Sequence, residues 1–125
     1  MKNFIDTYNV SRETFERLKA YEASLYEWRK KFNLVSNASL ATAWERHFLD
    51  SVQLFKLIPE TARTLIDFGS GAGFPGMVLA ILAAEKTPYL NFRLVESITK
   101  KTLYLNEVKK ITGLNNVEII NNRIE

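Results

Sequence analysis

Apolar residues recur at steps of three and four through the first half of the chain, then give way to short apolar runs bounded by glycine, proline and acids. A short apolar segment (Phe4, Ile5, Tyr8) precedes Ser11, which suits a helix N-cap with Glu13 in the first turn. Phe15, Leu18, Tyr21, Leu25, Trp28 and Phe32 then mark one face of a long helix. Asn33 to Asn37 reads as a loop. A further helix begins near Ser39 and presents Leu40, Trp44, Phe48, Val52 and Phe55 before Pro59 stops it. Asp50 and Ser51 are able to re-cap that segment midway, so one kinked helix and two short ones are both open.

After Pro59 strand-like and helix-like runs alternate. Thr64 to Phe68, Phe92 to Glu96 and Val117 to Ile120 read as strands; Pro75 to Ala84 and Thr99 to Thr112 read as helices, the second stopped by Gly113. Strand, helix, strand, helix, strand is half of a doubly wound α/β sheet, with right-handed crossovers giving the spatial order three, two, one. The expected organisation is a helical region over 1–59 and the first half of a Rossmann-like domain over 60–125. In a complete sheet of this kind the first strand is central, so here it is expected to be an open edge and the chain a truncated piece of a longer one.

Composition narrows the chemistry. A chain of 125 residues is one domain, or a domain with an appendage. It has no cysteine and one histidine, His47, which rules out a disulfide framework, a thiolate metal site and a multi-histidine centre. No apolar run is long enough to span a bilayer and the start, MKNFIDTYNVS, lacks a signal-peptide core, so a soluble cytoplasmic protein without membrane contact is expected. The net charge of +3 allows an acidic partner such as nucleic acid without requiring one.

The chemistry concentrates in Thr64 to Gly76, TLIDFGSGAGFPG. A strand ends in an acid, Asp67, then breaks into Gly69, Gly71 and Gly73 and passes through Phe74 and Pro75 into an apolar helix. Parallel α/β sheets make such a turn where they hold a nucleotide-like ligand, because glycines let the backbone approach closely. Pro75 suits the first helical position, where no N–H is needed. Two frames fit. Acid-x-Gly-x-Gly-x-Gly from Gly69 is similar to the first motif of class I S-adenosylmethionine-dependent methyltransferases. Gly-x-Gly-x-x-Gly through Gly71, Gly73 and Gly76 resembles the dinucleotide fingerprint instead, which keeps a nucleotide-dependent oxidoreductase open. A glycine-rich connection with no ligand is the third possibility. Twenty-odd residues on, NFRLVE closes its strand with Glu96, placed to accept hydrogen bonds from ribose hydroxyls or simply to favour the start of the next helix, with Ser97 as its cap.

Five segments together carry a family resemblance: KFNLVS, WERHFLDS, LIDFGSGAGFPG, LVES-x-x-KK and NVEIINNRIE, in this order and spacing from about Tyr21 to the last residue. They resemble the bacterial small-subunit ribosomal RNA methyltransferase G family, also called glucose-inhibited division protein B. The resemblance implies a Rossmann-like class I methyltransferase fold and methylation at N7 of a guanine in 16S rRNA, near the decoding centre. The implied donor is S-adenosyl-L-methionine, the implied partner the small ribosomal subunit, and the full-length form is expected to be a monomer. Family cofactor contacts fall by position on Gly69, Phe74, Ile124 and Glu125; Gly71, Gly73 and Glu96 follow from the wider superfamily motif. A further cofactor-contacting arginine of the family lies beyond Glu125, so a piece of a longer enzyme is expected, with a non-catalytic binding module as the alternative.

The implied reaction makes modest demands on side chains. Guanine N7 presents a lone pair at neutral pH, so methyl transfer to it needs alignment and no general base. No residue is assigned as catalytic. RNA contacts would come from Arg29, Lys30 and Lys31 at the end of the long helix, Arg46 in the WERHFLDS segment, and Lys100 and Lys101 at the start of a later helix. Each cluster also has a plain reading as a solvated face or, near a helix C-terminus, as a partner for the dipole. His47 reads as a hydrogen-bonded packing residue, and the two aromatic series read as core.

Overall fold

Ser11 adopts extended backbone and its hydroxyl accepts from the amide of Thr14 at 3.1 Å, which starts the longest helix as the cap signal requires. In the computed structural model, which describes residues 2–30, 40–69 and 72–123, this helix is the second of eight elements. They are α1 (Lys2–Tyr8), α2 (Arg12–Trp28), α3 (Leu40–Phe55), β1 (Thr64–Phe68), α4 (Gly76–Lys86), β2 (Asn91–Glu96), α5 (Thr99–Thr112) and β3 (Val117–Asn121). The expected loop at Asn33 to Asn37, together with Phe32 and Ser39, lies outside the described residues.

All three strands are parallel and lie in the order β1-β2-β3, with β2 in the middle. The register pairs Phe68 with Val95 and Glu96 with Asn121, so the three carboxyl ends finish side by side. Strand β1 is an edge, as expected: Ile66 is 46% and Phe68 62% exposed, whereas Phe92 and Leu94 of β2 are buried.

The helical region is not an appendage to this sheet. Helix α4 is apolar all round, and Met77 to Ala83 are all buried. A helix with no polar face must be covered on both sides. One side lies on β2; α2 and α3 cover the other. Tyr21, Leu25 and Phe48 therefore share one continuous core with Met77, Ile81, Leu94 and Tyr104. The apolar series on α2 is buried as its periodicity indicates, from Phe15 through Leu18 and Tyr21 to Leu25. Helix α3 is a single helix through Asp50 and Ser51. The Ser51 hydroxyl donates back to the His47 carbonyl at 2.7 Å and so does not cap a second segment.

Two helix starts differ from expectation by a residue or so. Helix α4 begins at Gly76, with Pro75 in the cap position behind a cis Phe74–Pro75 bond. Helix α5 takes Ile98 as its cap residue in place of Ser97. In both cases the amide that needs an acceptor finds an acid at a strand end, so no local side-chain cap is required. Gly113 closes α5 in the left-handed conformation, φ 68°, as its sequence position indicates.

The far end of α4 ties down the start of α2. Glu85 Oε1 accepts from the Ser11 amide at 2.9 Å and from the Thr14 hydroxyl at 2.5 Å, while Lys86 donates to the Asn9 carbonyl at 2.7 Å. Partial desolvation pushes the Glu85 carboxyl up, but hydrogen bonds from Thr14 and Ser11, with Lys86 nearby, outweigh it and hold the group below the ordinary value of 4.5. A carboxyl depressed in the folded state stabilises above its unfolded value and loses that contribution as pH falls through the folded one. Glu85→Gln is therefore expected to lower the melting temperature near neutral pH and to converge on the parent as pH falls through the depressed value of the folded carboxyl. A gap that stays constant across that range in calorimetric scans would contradict the bond.

Candidate ligand site at the strand ends

Parallel α/β sheets bind ligands outside the carboxyl ends of their strands, where backbone turns away to either side. Here those ends carry Gly69, Glu96 and the segment after Asn121. The Gly69 amide donates to the Val95 carbonyl at 2.7 Å, one residue past the end of β1, so Gly69 lies next to Glu96 across the strand gap. On the other side the Asn122 amide donates to the Glu96 carbonyl at 3.1 Å, which holds the exit of β3 against the same residue. The structure thus brings Gly69 and Glu96 together, with β3 leaving beside them. Gly71, Ile124 and Glu125 lie outside the described residues.

The turn between β1 and α4 is shaped by two glycines with positive φ, Gly69 at 75° and Gly73 at 101°. At Gly73 a Cβ would also meet the Tyr21 hydroxyl at 2.7 Å and Met77 Cβ at 3.0 Å. Gly76 answers a different need. An added Cβ there would fall 2.3 Å from Leu94 Cδ2 and 2.6 Å from Asp67 Oδ2. The start of α4 is therefore pressed directly on β1 and β2, and Asp67 Oδ2 accepts the Gly76 amide at 3.0 Å. This is the packing role of the third glycine in the dinucleotide-type frame, and it is compatible with either frame.

Phe74 is half-buried in an aromatic group assembled from three helices and the turn. Its ring stacks on His47 at 5.0 Å and 21°, meets Trp44 edge-on at 5.8 Å, and lies 5.7 Å from Tyr21. Trp44 and Phe48 stack along α3, and Tyr8 of α1 meets Phe48 edge-on. His47 is thus a packing residue by ring contact, with its outer face exposed.

Glu96 is 4% exposed, and its Oε2 accepts the Ile98 amide at 2.9 Å. This bond fixes the orientation of the carboxylate. The residues missed by sequence reasoning are Tyr104 and the polar role of Tyr21. Both are buried, and both hydroxyls donate to the Ala72 carbonyl at 2.8 Å. Periodicity marks such tyrosines only as apolar positions; nothing in the sequence reveals where their hydroxyls go.

The cations considered for RNA contact belong to different elements, Arg46 to α3, Lys100 and Lys101 to α5, and Arg29 and Lys30 to the end of α2. Arg46 and Lys100 are exposed and Lys101 is half-buried. Lys30 pairs with Glu27 at 3.7 Å, and the Arg29 guanidinium lies 5.9 Å from the Tyr26 ring centre. Lys31 lies outside the described residues. Among the described residues no group of His, Asp and Glu is placed to hold a metal, and no helix is long and apolar enough to cross a membrane. A cleft of about 500 Å³ opens at the opposite end of α4, between Tyr8, Phe55, Leu82 and Tyr89. It touches none of the strand-end residues, and we locate the site by strand-end geometry, because cleft size carries no chemistry of its own.

Comparison with known proteins bears on the family of the chain. A family model described as rRNA small subunit methyltransferase G matches residues 14–125. A protein of Parvibaculum lavamentivorans named ribosomal RNA small subunit methyltransferase G is 55% identical over 105 residues, 84% of this chain and 46% of that protein. Proteins of the same name from Rhodospirillum centenum and Ruegeria pomeroyi are 50% and 44% identical, over 89% and 96% of this chain and 49% and 58% of theirs. The chain spans about half the length of the curated relatives it matches.

The close seat of α4 gives a direct test. Gly76→Ala is expected to cost about 1–3 kcal/mol, the usual penalty for overfilling a packed contact. Urea unfolding of parent and variant would measure it; equal midpoints would show that α4 does not sit this close to the sheet.

Proposed function

The chain belongs to the rRNA small subunit methyltransferase G family, and from that membership we propose that the whole protein transfers a methyl group from S-adenosyl-L-methionine to N7 of a guanine in 16S rRNA. The observation that carries the reading is the meeting of Gly69 and Glu96 at the carboxyl ends of adjacent parallel strands, one supplying room and the other a carboxylate.

The residues present fit a nucleoside donor. Positive φ at Gly69 turns the chain away from the strand end and leaves no side chain in the ligand's approach. Glu96, oriented by its bond to Ile98, would present its carboxylate to the ribose hydroxyls. Phe74 would flank the donor from the turn, held in place by His47 and Trp44. Gly73 shapes the same turn; by position in the family and superfamily motifs, Gly71 would also border the donor, and Ile124 and Glu125 would meet the adenine. Bound there, the donor supplies an electrophilic methyl on a positively charged sulfur.

What remains for the protein is alignment. The N7 lone pair needs no deprotonation, and correct placement of two reactants is by itself a large part of such a barrier. A strand-end site without an acid–base pair is suited to that task. Exposed Arg46 and Lys100 would contact phosphates of the 16S rRNA, in an assembled small subunit or the naked RNA. The protein would then act in the cytoplasm as a monomer, wherever the small subunit is assembled.

Calorimetric titration with S-adenosylhomocysteine and with NADH tests the donor, using the chain alone and joined to the C-terminal half of the Parvibaculum lavamentivorans relative. Binding of the first is expected; binding of NADH alone would favour the oxidoreductase frame. Labelled S-adenosylmethionine with naked RNA or assembled subunits then tests transfer, and no label in either would leave a binding module. Glu96→Gln is expected to weaken S-adenosylhomocysteine binding by about tenfold, the size of one charged hydrogen bond. A 2′,3′-dideoxy analogue should bind parent and variant equally. The same loss with that analogue would place the effect on the start of α5 and not on the ribose.

A further inference from the structure

One backbone carbonyl in the glycine turn is held from two helices at once. Tyr21 of α2 and Tyr104 of α5 are both fully buried, and each hydroxyl donates to the Ala72 oxygen at 2.8 Å. A carbonyl oxygen has two lone pairs, so the two phenols fill it. Core filling alone does not call for this arrangement. Phenylalanine offers the same ring, and a buried hydroxyl is costly unless it is bonded.

The pair also fixes what lies on the other side of the peptide bond. The 72–73 peptide is planar and trans, the cis bond among the described residues being Phe74–Pro75. In a trans peptide the C=O and N–H point in opposite directions. Drawing the Ala72 oxygen onto the two phenols therefore turns the Gly73 N–H away from them. Gly73 itself, at φ 101°, has no space for a side chain because the Tyr21 hydroxyl stands where a Cβ would go. The two hydroxyls thus set a peptide plane and the residue that follows it.

The state of the hydroxyls is secure. Burial raises Tyr21 well above its ordinary value, reinforced by Tyr104 and the Asp67 carboxylate, and burial raises Tyr104 as well. Both stay protonated, and so remain donors, across the range in which the protein would work.

We propose that Tyr21 and Tyr104 are positioning residues for the bound nucleoside cofactor, holding the 72–73 peptide so that its N–H faces the ligand side of the turn. The inference rests on the reading of this turn as the methyl-donor site. It makes α2, from the helical region, part of the cofactor site without any side chain of α2 touching the cofactor.

Tyr21→Phe, Tyr104→Phe and the double variant of the chain test it. S-adenosylhomocysteine affinity is measured by calorimetry at a temperature where circular dichroism shows every compared form folded. The carbonyl carbon of Ala72 and the amide of Gly73 are followed by NMR without ligand. The expected result is about threefold weaker binding for each single variant and about tenfold or more for the double, as loss of one and two net hydrogen bonds implies. The Ala72 and Gly73 resonances should move in the same order. A purely structural pair would lower the urea midpoint and leave affinity in the folded protein unchanged, which would overturn the proposal. If the double variant does not fold, unchanged affinity in both single variants overturns it equally. Failure of the parent to bind S-adenosylhomocysteine both alone and joined to the C-terminal half of the Parvibaculum lavamentivorans relative would instead overturn the donor-site reading, and this inference with it.

Discussion

The amide of Gly76 rests 3.0 Å from the carboxylate of Asp67, nine residues earlier in the chain, and the geometry of the site depends on that contact. It fixes the first turn of α4 at the tip of β1, so the chain between them must reverse within a few residues. The reversal is possible because Gly69 and Gly73 accept positive φ, and because Gly76 presents no Cβ to Leu94 or Asp67. An acid at the positive end of a helix is favourable in its own right, which makes Asp67 both anchor and dipole partner. A longer side chain at Gly76 would lift α4 off the sheet and open the turn. The acid and the glycine are one device.

That device would be poorly supported by three strands and two helices alone. Helix α4 carries MVLAILAA with no polar face, so half of its surface would meet water if α2 and α3 were absent. Their cover brings Tyr21 and Trp44 against the back of the turn, where they touch Phe74. Burial of an apolar helix and shaping of a ligand turn are consequently met by the same residues. It follows that substitutions along the buried face of α2 act on the turn as well as on stability, although α2 lies more than forty residues away in sequence.

Much of this was legible in the chain itself. The three- and four-residue spacing from Phe15 to Leu25 gave α2 and its buried face, and Gly113 marked the end of α5 where it falls. Strand positions were readable because apolar runs between glycine, proline and acids leave few alternatives. Helix starts were less so. The expectation for α5 rested on Ser97, a residue type that caps locally, whereas the acceptor is Glu96, on the preceding strand. For α4 the Pro75 signal is sound to within one residue, and what sets the start is again an acid from a strand. The Ala72 contacts were invisible for a related reason. They join residues 51 and 32 positions apart, and no local pattern encodes where a phenol hydroxyl ends.

The capping of α5 by Glu96 bears on how a single carboxylate would serve two purposes. Support for the helix and acceptance of ribose hydroxyls are alternative readings of the sequence, and the geometry is compatible with both. The bond from Ile98 occupies one position on Oε2 and removes the freedom of a side chain that would otherwise sample several rotamers. A ligand then meets an acceptor already oriented and need not spend binding energy ordering it. Burial to 4% exposure strengthens each remaining hydrogen bond by excluding competing water. The capping role would therefore prepare the proposed binding role, because an acid held in place at this strand end needs no ordering when a ligand arrives.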